Sequence, residues 1–262
     1  MTASPTTAGS PAASAPRDRS AVAGPKRRVA DLYFGAMALL ILGTVFLGFA
    51  RSYYLAGIYH THLPNLLIHV HAVVFSAWIV LFCVQTALVA RRNISLHRAL
   101  GFAGAGLAVA MVGLGIAAAT DSLARGFAPR EFPFGPLGFY SVPIFGITTF
   151  AVLIFFGIYL RSNGSAHKRL VLLATIALTS AAIDRWPVAF IHQEHFMSNV
   201  IRDLMVLSIV VFDFSTIRRL HRATLLGGLF VMAMGQITVP IGSTAAWQKI
   251  ASSVLHVWAN LR

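Results

Sequence analysis

Seven apolar stretches, each close to one bilayer in length, alternate with short polar loops along this chain. A helix rising 1.5 Å per residue needs about 20 apolar residues to cross ~30 Å of hydrocarbon. The pattern therefore predicts helices over Asp31–Ala50, Leu66–Ala90, Arg98–Thr120, Phe139–Leu160, Leu170–Phe190, Asn199–Ile217 and Thr224–Ala246. The expected fold is all-α, a polytopic membrane bundle of seven transmembrane helices within 26–262 that leaves no room for a soluble domain. Residues 1–25 are rich in Ser, Thr, Ala, Pro and Gly, a composition that buries too little apolar surface to offset ordering entropy, and are expected to be a disordered tail.

Composition agrees with a bilayer solvent. Hydrophobic residues make up 57% of the 262 positions and charged residues 11%, where a soluble domain carries about a quarter charged. Lys26, Arg27 and Arg28 precede a first apolar run that is longer than a signal-peptide core and lacks a small-residue cleavage site, so it reads as an uncleaved anchor. Cys83 is the only cysteine and falls within a span. Internal disulfides and cysteine-cluster metal sites are thereby excluded.

The net charge of +13 is placed for a membrane and not for nucleic acid. Of 21 Lys and Arg, 14 fall in the N-terminal segment and in three alternate loops (Arg91, Arg92, Arg98; Arg161, Lys168, Arg169; Arg218, Arg219, Arg222). The positive-inside rule then puts the N-terminus in the cytoplasm and the C-terminus outside. Tyr53, Tyr54, Tyr59, Tyr140, Trp186 and Trp247 gather toward the outer interface, where amphipathic rings prefer to lie. Two glycosylation sequons, at Asn93 and Asn163, fall in loops assigned to the cytoplasm and are read as chance.

Ionisable groups inside a span mark a functional site by default. Counting from the expected span ends, His71, Asp203 and Asp184 share one level, about 6–9 Å below the outer surface. Arg185 and Arg202 flank the carboxylates in sequence, so pairing of Asp184 with Arg202, or of Asp203 with Arg185, is expected across the fifth and sixth spans. Above this layer lie His60, His62 and His69, with His192, Glu194 and His195 between those two spans. Neutral imidazole binds transition metals and haem iron, and His192 and His195 at i, i+3 could share a helical face as metal ligands. His69 and His71 are two apart, which on a helix turns them about 200° from each other, so only one can face the bundle. For all these groups, interfacial hydrogen bonding and ion pairing are the plain alternative.

In the third span, Gly106, Ala110, Gly113 and Ala117 form a small-residue face expected to pack closely on a neighbour. Three helices begin alike, at Leu96-His97-Arg98, Ala166-His167-Lys168 and Leu220-His221-Arg222, which hints at a repeated hairpin. These histidines are basic anchors at helix starts or, for His97 and His167, a ligand pair. The last span contains no lysine for a retinal Schiff base, and no H-E-x-x-H, G-x-S-x-G, phosphate loop or C-x-x-C-H is present.

The runs His69-Val70-His71-Ala72-Val73-Val74-Phe75-Ser76-Ala77-Trp78, Leu96-His97-Arg98-Ala99-Leu100-Gly101, His167-Lys168-Arg169-Leu170 and Ala181-Ala182-Ile183-Asp184-Arg185-Trp186-Pro187 resemble a family of uncharacterised bacterial multi-pass membrane proteins. That resemblance implies topology and a bacterial inner membrane, and no activity. The chain is also faintly similar to transmembrane di-haem cytochromes b, which implies a haem b tier from His69 or His71 with His192 or His195, and another from His97 with His167. It departs from them in placing these histidines at helix ends or in loops. On this reading the protein is expected to carry electrons between a quinone or another redox partner and an acceptor, with Asp184, Arg185 and Asp203 tuning the haem site. The alternatives are a non-catalytic protein that binds or transports a metal ion or small anion, and an assembly subunit.

Overall fold

The computed structural model describes residues 24–62, 65–129, 132–188 and 197–260. Every regular element among them is helical. Residues 1–23 of the expected tail, together with His192, Glu194 and His195, lie outside the described residues, while its last residue, Pro25, already belongs to the first helix.

Helix α1 (Pro25–Phe49) starts with proline in its first turn and widens into a π-turn over Ala50–Tyr54 before the short α2 (Ala56–Tyr59). The second expected span is observed unchanged as α3 (Leu66–Ala90), opened by Asn65, whose side chain accepts from the Ile68 N–H. Helix α4 (Ile94–Ala124) and α7 (Gly164–Ala177) open in the same way, with Asn93 and Asn163 accepting from the N–H three residues on. The two sequons are thus helix N-caps, which gives each asparagine a structural role. Between α4 and α7 lie α5 (Gly135–Phe139) and α6 (Ser141–Tyr159). After α7 come α8 (Ser180–Ile183), α9 (Met197–Ile217), α10 (Arg222–Gly242) and α11 (Ala245–Asn260).

Six of the described helical stretches are long and apolar enough to cross a membrane: Arg27–Tyr54, Leu66–Ala90, Ile94–Ala124, Gly135–Tyr159, Gly164–Ile183 and Arg222–Gly242. Helix α9 has the length, but carries Arg202, Asp203 and Asp213. Helices α3 and α4 form one antiparallel hairpin and α6 and α7 another; α1 packs on α3 and α8, and α10 on α6, α7 and α9. Between them lies a core that includes Ile41, Met111, Phe150, Leu172, Leu173, Ile176 and Ile209.

Two expectations about packing are corrected. The buried face of α4 is Gly104, Ala108, Met111, Gly115 and Ala118, while Gly106, Ala110 and Gly113 face outward. Small residues line both sides of this helix, so size alone cannot select the packed one. Large partners do: a Cβ at Gly104 would stand 3.2 Å from Leu81, and one at Gly115 2.9 Å from Ile147. Second, the chain continues past the last expected span as α11, which folds back on α4 and α5. There Trp247 donates to the Leu137 carbonyl at 3.0 Å and Ala251 is buried near Leu123 and Tyr140.

Candidate functional site

Arg202 is buried near the start of α9, with 4% of its surface exposed. Its Nε and Nη2 donate to Asp203 Oδ1 at 3.0 and 2.7 Å, and its Nη1 donates to Asn199 Oδ1 at 2.8 Å. These bonds use three of the five guanidinium N–H groups, leaving two without a partner among the described residues. The group lies flat on α10 at Gly235, where a Cβ would stand 2.2 Å from Nη2. Only glycine leaves room for it. Gln236 supports Asp203 from the same helix, its Nε2 3.5 Å from Oδ2.

Arg202 faces a cavity of about 360 Å³ enclosed by α6, the α7–α8 junction, α9, α10 and the segment before α5. Its polar lining includes Ser180, Asp184, Arg185, Ser198 and Asn199; Phe127, Phe132, Phe139 and Phe145 give it an aromatic side. The backbone beside it is irregular in two helices. Helix α7 breaks at Leu178–Thr179, where tight i→i+3 bonds to Thr175 and Ile176 replace the α-helical ladder and Thr179 Oγ1 also bonds the Ile176 carbonyl. Helix α10 carries Pro240 inside its C-terminal half. Ser180, the first residue after the break, has a buried Oγ without a hydrogen-bond partner among the described residues.

The expected shared layer is only partly assembled. Asp184 and Arg185 line the cavity, and Asp203 stands behind Arg202. The expected cross-helix pairing is not what Arg202 makes: its partner is Asp203, the next residue on its own helix. The bare backbone at Gly235 lets the long side chain lie along the helix surface, within reach of both Asp203 and Asn199. Arg185 donates to the Ala181 carbonyl and lies over the Phe49 ring at 5.0 Å, with Asp184 as its electrostatic neighbour.

The outer histidines diverge. His69 is exposed, 3.4 Å from the Tyr53 hydroxyl, whereas His71 is half-buried and packs on Phe75, with ring centroids 4.0 Å apart. Their expected partners, His192 and His195, lie outside the described residues, so no outer haem tier can be assembled from the described residues. No histidine lines the cavity among those residues. The expected pair His97 and His167 does meet, with the rings 6.3 Å apart.

Sequence reasoning missed three buried ionic groups. Arg169 was counted as a loop cation but is 2% exposed and paired with Asp213. Asp121 is fully buried near the C-terminal end of α4, where Asn65 and Arg125 both donate to it at 2.9 Å. The i, i+4 spacing of Asp121 and Arg125 was the available signal for that pair; Asp213 had none nearby in sequence. No protein-family model matches this chain, and no curated protein or solved structure matches it either.

Proposed function

We propose that the chain is a seven-span protein of a bacterial inner membrane, with its N-terminus in the cytoplasm, that binds or transports a small amphipathic anion through the outer cavity. The observation that carries this reading is the buried Arg202 guanidinium: Asp203 and Asn199 fix its plane, and two N–H donors remain for a ligand. A planar fork of donors suits a carboxylate or phosphate. Asp184 adjoins Arg185 and offsets its charge, while the phenylalanines of the opposite wall suit an apolar or aromatic body. Pockets of this size that are mostly apolar, with a few fixed polar groups, are typical of small-molecule sites.

The break between α7 and α8 and the proline within α10, both beside the cavity, support the same reading. Irregular backbone at membrane depth is tolerated where it lines a cavity, and discontinuous helices recur at transporter binding sites. The seventh span is supported by the run of α9. Its first turns line the cavity, and its far end bonds the starts of α7 and α10 at the opposite end of the bundle. Its ionisable residues are each neutralised inside the protein, which removes most of the penalty for crossing. The haem expectation is not carried into this reading, because the cavity holds no imidazole among the described residues.

The test is binding to full-length protein in nanodiscs, with benzoate as the probe and benzyl alcohol as its uncharged counterpart. Saturable benzoate binding that Ser198→Ala and Gly235→Ala weaken, with benzyl alcohol bound at least tenfold more weakly, is the expected result. Equal binding of the two probes, or none, overturns the reading.

A further inference from the structure

Two histidines from separate hairpins meet at the end of the bundle opposite the cavity. Each is the fourth residue after an asparagine N-cap, in Asn93-Ile94-Ser95-Leu96-His97 and Asn163-Gly164-Ser165-Ala166-His167, so the same local fold presents both. Their ring centroids are 6.3 Å apart and their planes cross at 81°. His167 Nδ1 lies 2.8 Å from the Gly157 carbonyl. A carbonyl only accepts, so Nδ1 carries the proton and Nε2 keeps its lone pair, the arrangement by which metal-binding histidines are oriented. His97 Nδ1 is buried with no hydrogen-bond partner among the described residues. The Gln85 backbone hydrogen-bonds the His97 ring, and the Gln85 side chain has a buried Oε1 without a partner among the described residues.

Two buried polar atoms, His97 Nδ1 and Gln85 Oε1, are therefore left without partners among the described residues, and buried polar atoms ordinarily find partners; the His167 Nε2 lone pair is a third donor from the facing ring. The ring separation selects the geometry that would satisfy them. With metal–nitrogen bonds of about 2.0–2.1 Å and a ring half-width on each side, two imidazoles on opposite sides of one ion have centroids about 6.4 Å apart; a tetrahedral pair has them about 5 Å apart. The observed spacing fits the near-linear case. Charge points the same way. Among the described residues no cluster of three or more His, Cys, Asp or Glu could hold a metal, so the donors are neutral, and Arg98 and Lys168 follow the two histidines directly. A dication would seek more ligands and a carboxylate or thiolate; a soft monovalent ion that accepts two nitrogens in line does not.

We propose that His97 Nδ1 and His167 Nε2 form a two-coordinate site for a cuprous ion, with Gln85 Oε1 as a lateral contact. The site is independent of the anion cavity. In the test, full-length protein in detergent is titrated anaerobically with Cu(I) against bicinchoninate and, separately, with Zn(II). The expected result is one Cu(I) per chain with a two-nitrogen X-ray absorption signature, no Zn(II) at equal concentration, at least tenfold weaker copper binding in His97→Ala and in His167→Ala, and unchanged binding in His69→Ala. His167→Ala also removes the bond to Gly157, so if it fails to fold, His97→Leu and the absorption spectrum of the wild type decide the case. Failure of the wild type to compete with the chelator, retention of copper by the His97 variants, or a Soret band lost in His97→Ala would each overturn it, the last by placing haem iron between the two rings.

Discussion

Arg169, in the second turn of α7, and Asp213, near the end of α9, are joined inside the bundle: Arg169 Nε donates to Asp213 Oδ1 at 2.9 Å, and neither side chain is more than 2% exposed. The second carboxylate oxygen accepts from Thr224 Oγ1 at 2.6 Å and from the His221 N–H at 3.1 Å, both at the start of α10. Ser165 takes Arg169 Nη1. One carboxylate thereby gathers three helix ends, and the guanidinium also faces the Phe212 ring.

Breaking this pair from one side strands the other charge. Asp213→Ala leaves the Arg169 cation buried and deprives Thr224 and His221 of their acceptor, a loss expected to be about 3–5 kcal/mol. The double variant Arg169→Met with Asp213→Leu removes both charges and is expected to regain most of that loss. Unfolding in detergent micelles measures both; a single variant within about 1 kcal/mol of the wild type would show that the pair does not hold these ends together.

Gly235→Ala tests the seat of Arg202. The new Cβ would overlap the guanidinium, which must swing away and give up its bonds to Asn199 or Asp203. Benzoate affinity is expected to fall at least tenfold, about 1.4 kcal/mol. Gly146→Ala, on the cavity wall with nothing within 4 Å of its Cβ position, is the control and keeps the affinity.

How much of this was legible follows the range of the forces involved. The α3 boundaries were legible because an asparagine cap and an Arg91–Arg92 stop bracket an uninterrupted apolar run. Asp184 was singled out by depth, since helical rise converts position to level, and Arg185 as its neighbour in sequence; both line the cavity. Arg202's partner was not, because its choice depends on a bare backbone at Gly235, 33 residues away in sequence. Arg169 and Asp213 were missed for a similar reason: beside Lys168, an arginine looks like a loop cation until the carboxylate that buries it is brought in from another helix. Helix α11 was missed because Lys249, Gln248 and two serines dilute its hydropathy, although one face is apolar and packs on α4 and α5.

Gly48→Ala is expected to destabilise the protein by about 1–3 kcal/mol. A Cβ there would stand 2.1 Å from the Ala182 carbonyl oxygen, and a backbone atom cannot rotate out of the way. As α1 moves off α8, the bond from Trp186 Nε1 to the Thr44 carbonyl, 3.2 Å long, is strained, so Trp186 fluorescence should shift with stability. Gly43→Ala has open space around its Cβ and is expected to be neutral or to stabilise by about 0.5–1 kcal/mol through helix propensity.

His221 gives the start of α10 a pH dependence. Its Nδ1 accepts from the Ala223 N–H at 3.1 Å and caps α10, which requires the neutral ring. Burial, with Arg169 next in weight and Arg219 and Lys168 adding to it, lowers its pKa from the ordinary value against the opposing pull of Asp213. The unfolded chain then takes up a proton first as pH falls. The capping contribution is complete above about pH 6.5 and is lost as pH falls through the lower folded value. His221→Asn keeps a capping acceptor and should flatten the part of the melting-temperature profile between pH 8 and 5 that belongs to this residue; an unchanged difference between the two proteins across that range would remove His221 as its source.

The proposed topology rests on whether α9 crosses the membrane, and the position of α11 decides it. With seven crossings the loop before α4 and the loop before α7 face the cytoplasm, in accord with their arginines, while the segment after α4 and the end of α11 face outward. With six, α11 returns to the side of the basic loops. Single cysteines at Ser95, Ser162, Ala128 and Asn260 in a Cys83→Ser background, probed on intact cells with a membrane-impermeant maleimide, separate the cases. Labelling at 128 and 260, with 95 and 162 reacting only after lysis, is the expected pattern. Protection at 260 alongside labelling at 128 would mean that the Arg202–Asp203 and Arg169–Asp213 pairs do not carry α9 across, and protection at 128 with labelling at 95 would reverse the orientation altogether.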